Sequence, residues 1–231
     1  MNALRTKICT YAIALLVSIG FASPSLAGSS DFSGIWVAGH AEMNVAVING
    51  TFTDTDGQST AGAVGGFAPT AGYEIGFNLP IGPVLFVTVG LSDGGSGKAK
   101  LAKVRNSTDV TNKADVTLLA SDPTWYYIAP SISIFDNSAV YFKFGQVQAD
   151  LKAEGSVAGA PNNIDGDMWG IGTTSIADNG LFFKTEAGAI QYDKFTITGI
   201  GGAGNTVDGG TNTVEGNPLV GYGHVSIGYK F

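Results

Sequence analysis

The sequence predicts an all-β protein: an antiparallel up-and-down transmembrane β-barrel of eight strands. Three observations predict it. Apolar and polar residues alternate in eight segments, the period of a two-faced strand. The connections between these segments alternate between short and long. After residue 27 no segment holds the roughly 18 consecutive apolar residues that a membrane helix needs. A chain without such a helix can span a bilayer only as a closed barrel, because hydrocarbon leaves no partner for an open backbone. Composition agrees. Of 231 residues, 13% are charged, 44% are hydrophobic and 34 are glycine. That charge fraction is about half the level of a soluble domain. The net charge of -7 argues against a nucleic-acid partner, which requires clustered Lys and Arg.

Residues 1–27 read as a secretory signal peptide, cleaved after Ala27, with residues 28–231 as the barrel. Arg5 and Lys7 form its positive start, and Tyr11–Phe21 is an apolar run of 11 residues. Pro24 breaks the run, and Ser25-Leu26-Ala27 supplies small residues for cleavage. The run is too short to span as an anchor. The single cysteine, Cys9, leaves with the signal, so no thiol chemistry is expected afterwards. Loss of its two cations leaves 10 Lys and Arg against 19 Asp and Glu, a balance of -9.

The first strand, Ile35–Val47, sets Ile35, Val37, Met43, Val45 and Val47 against Trp36, His40, Glu42 and Asn44. Ala71–Leu79 follows, with Tyr73, Ile75, Phe77 and Leu79 opposite Glu74 and Asn78. Val84–Leu91 places Leu85, Val87, Val89 and Leu91 together, and Trp125–Ile134 opposes Tyr126, Ile128, Ile132 and Ile134 to Ser131 and Ser133. Val140–Phe144 sets Val140, Phe142 and Phe144 against Tyr141 and Lys143. Trp169–Ser175 alternates Trp169 and Ile171 with glycines, and Leu181–Gln191 opposes Lys184 and Glu186 to Phe183, Ala187 and Ala189. The last segment, Leu219–Phe231, carries Val225, Ile227, Tyr229 and Phe231 opposite Tyr222, His224, Ser226 and Lys230.

Tight turns are expected at Pro80–Pro83, Asp136–Ser138 and Ala177–Gly180, all rich in turn residues. Long polar connections are expected at Ile48–Thr70, Ser92–Thr124, Leu151–Met168 and Tyr192–Pro218. Two of these hold further alternating stretches, Ala114–Leu118 and Phe195–Ile200, which would extend strands beyond the membrane. Ten strands result if one such loop contributes a paired hairpin. Alternation alone does not say which face points outward, since a lipocalin-like barrel has an apolar lumen. The polar face here is rich in Gly, Ala, Ser and Asn, which suit a narrow lumen. Tyr73, Tyr126, Trp169, Tyr229 and Phe231 fall near strand ends on the apolar face, where interfacial aromatic girdles lie.

The final run, Val225-Ser226-Ile227-Gly228-Tyr229-Lys230-Phe231, puts an apolar or aromatic residue at every second position up to a terminal Phe. It resembles the C-terminal signal read by the outer-membrane barrel-assembly machinery, although the usual Gly five residues from the end is Ser226 here. In pattern the chain resembles the small eight-stranded barrels of the OmpA transmembrane domain, OmpX and opacity-protein group. That resemblance implies the outer membrane of a Gram-negative cell and surface loops. Its implied partners are outer-membrane lipid, periplasmic chaperones and the assembly machinery. It gives Val225, Ile227, Tyr229 and Phe231 the role of assembly signal.

The polar faces aim His40, Glu42, Glu74, Lys143, Lys184, Glu186, His224 and Lys230 into the lumen. A barrel of eight strands is just wide enough for side chains to fill, so these residues are expected to form a polar core of ion pairs. The sharper alternative is a gated pore or proton-sensitive plug built on the two histidines. His224-Val225-Ser226 resembles the His-x-Ser element of lipid A deacylases, but no acidic residue follows it to orient the base. The histidines are far apart in sequence and there is no metal-ligand spacing, so neither metal nor cofactor is expected. The Asp-Gly pairs read as turns. The expected role is structural, with display of acidic Thr/Gly/Asn-rich loops. The alternatives are a narrow porin-like channel for small solutes, an adhesin or recognition barrel binding an extracellular ligand through its loops, and, last, a lipid A-modifying enzyme.

Overall fold

A computed structural model describes residues 28–53, 57–94, 99–105, 115–135, 137–154 and 159–198, together with 213–231. The expected signal peptide, residues 1–27, lies outside the described residues. Among the described residues, ten strands follow a short 3-10 helix at Ser29–Phe32: β1 Gly34–Thr53, β2 Ser59–Pro80, β3 Leu85–Asp93, β4 Ala99–Arg105, β5 Asp115–Phe135, β6 Ser138–Glu154, β7 Asn163–Ile176, β8 Leu181–Tyr192, β9 Phe195–Thr198 and β10 Thr213–Lys230. All neighbours run antiparallel in the order β1-β2-β3-β5-β6-β7-β8-β10, and β10 pairs with β1 to close a ring of eight. β4 pairs only the start of β5, above the stretch paired to β3, and β9 pairs the start of β10, above the stretch paired to β8. Each short strand therefore continues the wall above β3 or β8, and the ring count stays at eight. The gap after β3 faces a bulge in β5 between Ser121 and Thr124, where Asp122 has φ 52°.

The strands are much longer than their sequence signal. Only residues 54–58 separate β1 from β2, so most of the expected loop Ile48–Thr70 is paired hairpin. The expected connection Leu151–Met168 shrinks to residues 155–162, and Ser92–Thr124 and Tyr192–Pro218 likewise yield paired strand at their ends. The sequence reading stopped too early because the polarity of the two faces exchanges partway up strands such as β1, β6 and β7. Below Phe144, β6 turns Phe142 outward and buries Tyr141 and Lys143; above it, Gln146, Gln148 and Asp150 face out while Val147, Ala149 and Leu151 are buried. β7 repeats the exchange, with Trp169 and Ile171 outward below and Asn163 and Asp165 outward above, opposite buried Ile164 and Met168. In β1, outward Met43, Val45 and Val47 give way to Asn49, opposite buried Ile48.

This exchange marks where lipid ends. A strand of 20 residues such as β1 is about 66 Å long at about 3.3 Å per residue. At a tilt of about 40° it rises roughly 50 Å, about twice the ~25 Å apolar band of an outer-membrane barrel. The lower half of the wall is apolar outside and polar inside. The upper half is polar outside and holds an apolar core of Leu118, Val147, Leu151, Ile164, Ile190, Ile197 and Val220. Tyr73, Tyr126, Trp169, Tyr229 and Phe231 are all exposed on the outer wall. One assigned outward residue differs: Leu85 is buried, next to the turn that joins β2 to β3.

Lumen aromatics lie over glycines directly across the strand pair. Trp36 is opposite Gly76, Tyr127 opposite Gly90, Tyr141 opposite Gly172 and Tyr222 opposite Gly188. A Cβ added at any of these glycines would come within 2.6 Å of the facing ring or its hydroxyl. Phe195 over Gly216 and Phe182 over Gly228 repeat the arrangement. The missing side chain gives each ring its seat, so a barrel this narrow holds many large residues.

Candidate functional site

The chemistry-bearing residues converge in the lower lumen, in two clusters each centred on a buried carboxylate. Glu74, on β2, accepts from the Lys184 ammonium at 2.9 Å, the Ser226 hydroxyl at 2.8 Å and the Tyr127 hydroxyl at 2.9 Å. Glu186, on β8, accepts from Lys143 at 3.1 Å, Tyr141 at 2.9 Å and Tyr222 at 2.7 Å. The lysines also sit on aromatic faces: Lys143 Nζ lies 4.1 Å from the Tyr127 ring centre and Lys184 Nζ lies 4.4 Å from that of Trp36. A charge taken out of water needs a counter-charge and hydrogen bonds on its remaining positions, and both carboxylates have them.

His224 joins the first cluster to Glu42. Its Nδ1 is 3.3 Å from a Glu42 carboxylate oxygen and its Nε2 is 2.6 Å from Ser226 Oγ. The missing acid of the His-x-Ser element is thus supplied from across the sheet, because Glu42 on β1 pairs with His224 on β10. The order Ser-His-Glu has the connectivity of a hydrolase triad. It lacks the surroundings of one: Ser226 and His224 are buried, and the Ser226 hydroxyl already donates to the anion of Glu74. A developing oxyanion at Ser226 would meet the carboxylate of Glu74.

The two histidines also meet, contrary to the expectation from their separation in sequence. Their ring centres are 4.6 Å apart and the rings stack. Stacked rings do not aim their nitrogens at one point, and among the described residues no three His, Cys, Asp or Glu side chains converge to hold a metal. His40 Nδ1 is buried without a hydrogen-bond partner among the described residues. Lys230 departs from the expected network. It lies at the lower mouth, half-buried, and donates to the carbonyl of Asp31. The register also brings in Trp36, Tyr127, Tyr141 and Tyr222, which sequence reasoning left out of the site. Their signal was a large aromatic residue on the polar face of a strand.

The mouth itself is filled by the short helix Ser29–Phe32 that precedes β1. Phe32 is buried and stacks on Phe86 at 4.9 Å, its carbonyl accepts from Asn78 at 2.7 Å, and the Ser29 amide donates to Pro83 O at 2.8 Å. Among the described residues, small cavities interrupt the packing below and above the ion pairs. One, of about 30 Å³, lies between this plug and the ion pairs and is lined by Asn78, Thr88, Tyr127, Lys184 and Lys230. The other, of about 40 Å³, lies above them, lined by Glu42, Asn44, Thr70, Phe67 and Trp125. Each has room for a water molecule or two.

A closed eight-stranded ring with an outward apolar band over a polar-filled lower lumen defines an outer-membrane β-barrel, and the chain is an integral outer-membrane protein of this architecture. No protein-family profile and no curated protein matches it. Among solved structures it is similar to the outer membrane protein OprG from Pseudomonas aeruginosa, with 12% identity over 86% of this chain and 97% of that one, at a TM-score of 0.52. AlkL in lipid bilayers has 16% identity, 91% and 95% coverage and a TM-score of 0.48. Ail of Yersinia pestis has 10% identity, 84% and 99% coverage and a TM-score of 0.37. The likeness to OprG is one of fold.

Proposed function

We propose that the protein is a non-enzymatic, non-conducting structural barrel that holds a tall polar wall and its loops at the cell surface. The observation that carries this reading is the closed lumen. Glu74, Glu186, Lys143 and Lys184 with their aromatic partners fill its lower half, Phe32 plugs the mouth, and an apolar core fills its upper half. A hydrated solute would have to break buried ion pairs and then cross a dry core. The same filling argues against the narrow porin-like channel, and the burial of Ser226 argues against lipid A chemistry. The polar outer wall above the lipid is the surface available for contact with an extracellular ligand. On this reading Val225, Ile227, Tyr229 and Phe231, all exposed on β10 and at its end, serve the assembly machinery before they meet lipid. Liposome swelling tests the reading. Vesicles carrying the refolded protein should swell no faster in an isotonic small sugar than empty vesicles; swelling at a porin's rate would overturn it.

A further inference from the structure

We propose that the outer face of β5–β8, just above the lipid, is a saccharide-binding groove that takes an uncharged or amino sugar from outside the cell. This names the extracellular ligand of the surface reading above and rests on that reading. The groove holds about 390 Å³ and is lined by Tyr126, Gln146, Gln148, Asp165, Asp167 and Asp193. Its volume falls in the ~300–1,000 Å³ range of small-molecule sites. Strand register builds it. Tyr126, Gln146 and Asp167 stand side by side on β5, β6 and β7, and Gln148 and Asp165 pair two residues higher. Asp193 closes the far side, where the chain leaves β8 and its amide donates to the Asp165 carbonyl at 2.8 Å. From β5 to the end of β8 is three strand spacings, about 14 Å at ~4.8 Å each, enough for a disaccharide. The first polar row of β1 and β2 carries the exposed pair Asn49 and Ala63 instead, so the groove belongs to one face of the barrel.

A sugar hydroxyl both donates and accepts, so its site needs partners of both kinds. The carboxylates supply acceptors, and each glutamine amide adds two donors and an acceptor. Gln148 Nε2 donates to Asp165 Oδ1 at 3.0 Å, which orders the two side chains before a ligand arrives and lowers the entropy cost of binding. The exposed Tyr126 ring offers an apolar face to the C–H side of a pyranose. The three carboxylates repel sulfated, phosphorylated and sialylated sugars and attract an ammonium. They do not form a metal site: among the described residues no three His, Cys, Asp or Glu side chains converge to hold one. A basic peptide would engage the carboxylates and leave the amides and the ring without a role.

The test is binding of the refolded protein, held in phosphatidylcholine nanodiscs, to an array of uncharged, amino, sulfated and sialylated oligosaccharides. Wild type should bind uncharged or amino members and none of the sulfated or sialylated ones. Tyr126→Ala and Asp165→Ala, both on the outer wall, should each weaken that binding at least tenfold. Asn49→Ala, on the opposite face, should leave it unchanged. Heat-modifiable gel migration confirms that each variant has folded. Binding to no sugar, binding confined to sulfated or sialylated members, or undiminished binding in both Tyr126→Ala and Asp165→Ala overturns the groove. Capture of a Lys-rich peptide in place of any sugar overturns it in favour of a peptide site. Retention of a digalactosyl lipid mixed into the nanodisc, with no binding to the array, overturns the extracellular source. Conductance through the same wild-type protein would instead overturn the closed-lumen reading and leave the array result standing.

Discussion

At the scale of single residues, the lumen is governed by the need to compensate every buried charge. Glu186 has one ammonium and two phenol partners, all from other strands. Removing Lys143 leaves its carboxylate buried without a counter-charge, so Lys143→Met should lower stability by about 3–5 kcal/mol. The double variant Lys143→Met with Glu186→Gln should lose less, because no charge is stranded. Reversible urea unfolding in lipid vesicles checks both, and a double variant no more stable than the single would contradict the pairing. The glycines under the aromatic rings make a second residue-scale prediction. Gly90→Ala pushes into the Tyr127 ring, 2.3 Å from the added Cβ, whereas nothing lies within 4 Å of a Cβ at Gly62. Overpacking at Gly90 should cost about 1–3 kcal/mol, and Gly62→Ala should leave the unfolding midpoint unchanged.

At the scale of the element, single long strands serve two solvents. β1, β6 and β7 turn apolar side chains outward in their lower halves and polar ones outward above. Side chains alternate with period two throughout, so the exchange needs no break in the strand, only a change in which residue type occupies each face. This is why the alternation was legible from Ile35 to Val47 while the stretch from Ile48 to Thr53 read as loop: Ile48 is buried and Asn49 exposed, the reverse of the rule that held below. The lipid boundary on β1 therefore falls between Val47 and Thr51. Because the single cysteine, Cys9, precedes the described residues, a Cys9→Ser background lets single introduced cysteines report it. A fluorophore at Val45→Cys should be quenched by brominated lipid tails, and one at Thr51→Cys should not. Equal quenching at the two sites would place the whole of β1 in lipid.

At the scale of the whole molecule, strand number, closure and the outward direction of the apolar face were legible in the sequence, because each follows from a local pattern repeated eight times. The inward placement of His40, Glu42, Glu74, Lys143, Lys184, Glu186 and His224 was legible for the same reason. Their partnerships were not. Which lysine meets which glutamate, and which glycine seats which ring, depends on register between strands up to 110 residues apart, as for Lys184 and Glu74. Register also hid the acid of the Ser-His-Glu array, which sits 182 residues before its histidine, and moved Lys230 out of the network to the mouth. The resulting molecule is a wall with a solid centre, polar where the wall is sheathed in lipid and apolar where the wall stands in water. Planar-bilayer recording on the refolded wild-type protein in molar potassium chloride tests this claim most directly. The filled lumen predicts insertion without discrete conductance steps, while reproducible steps that vanish when the protein is omitted would contradict it.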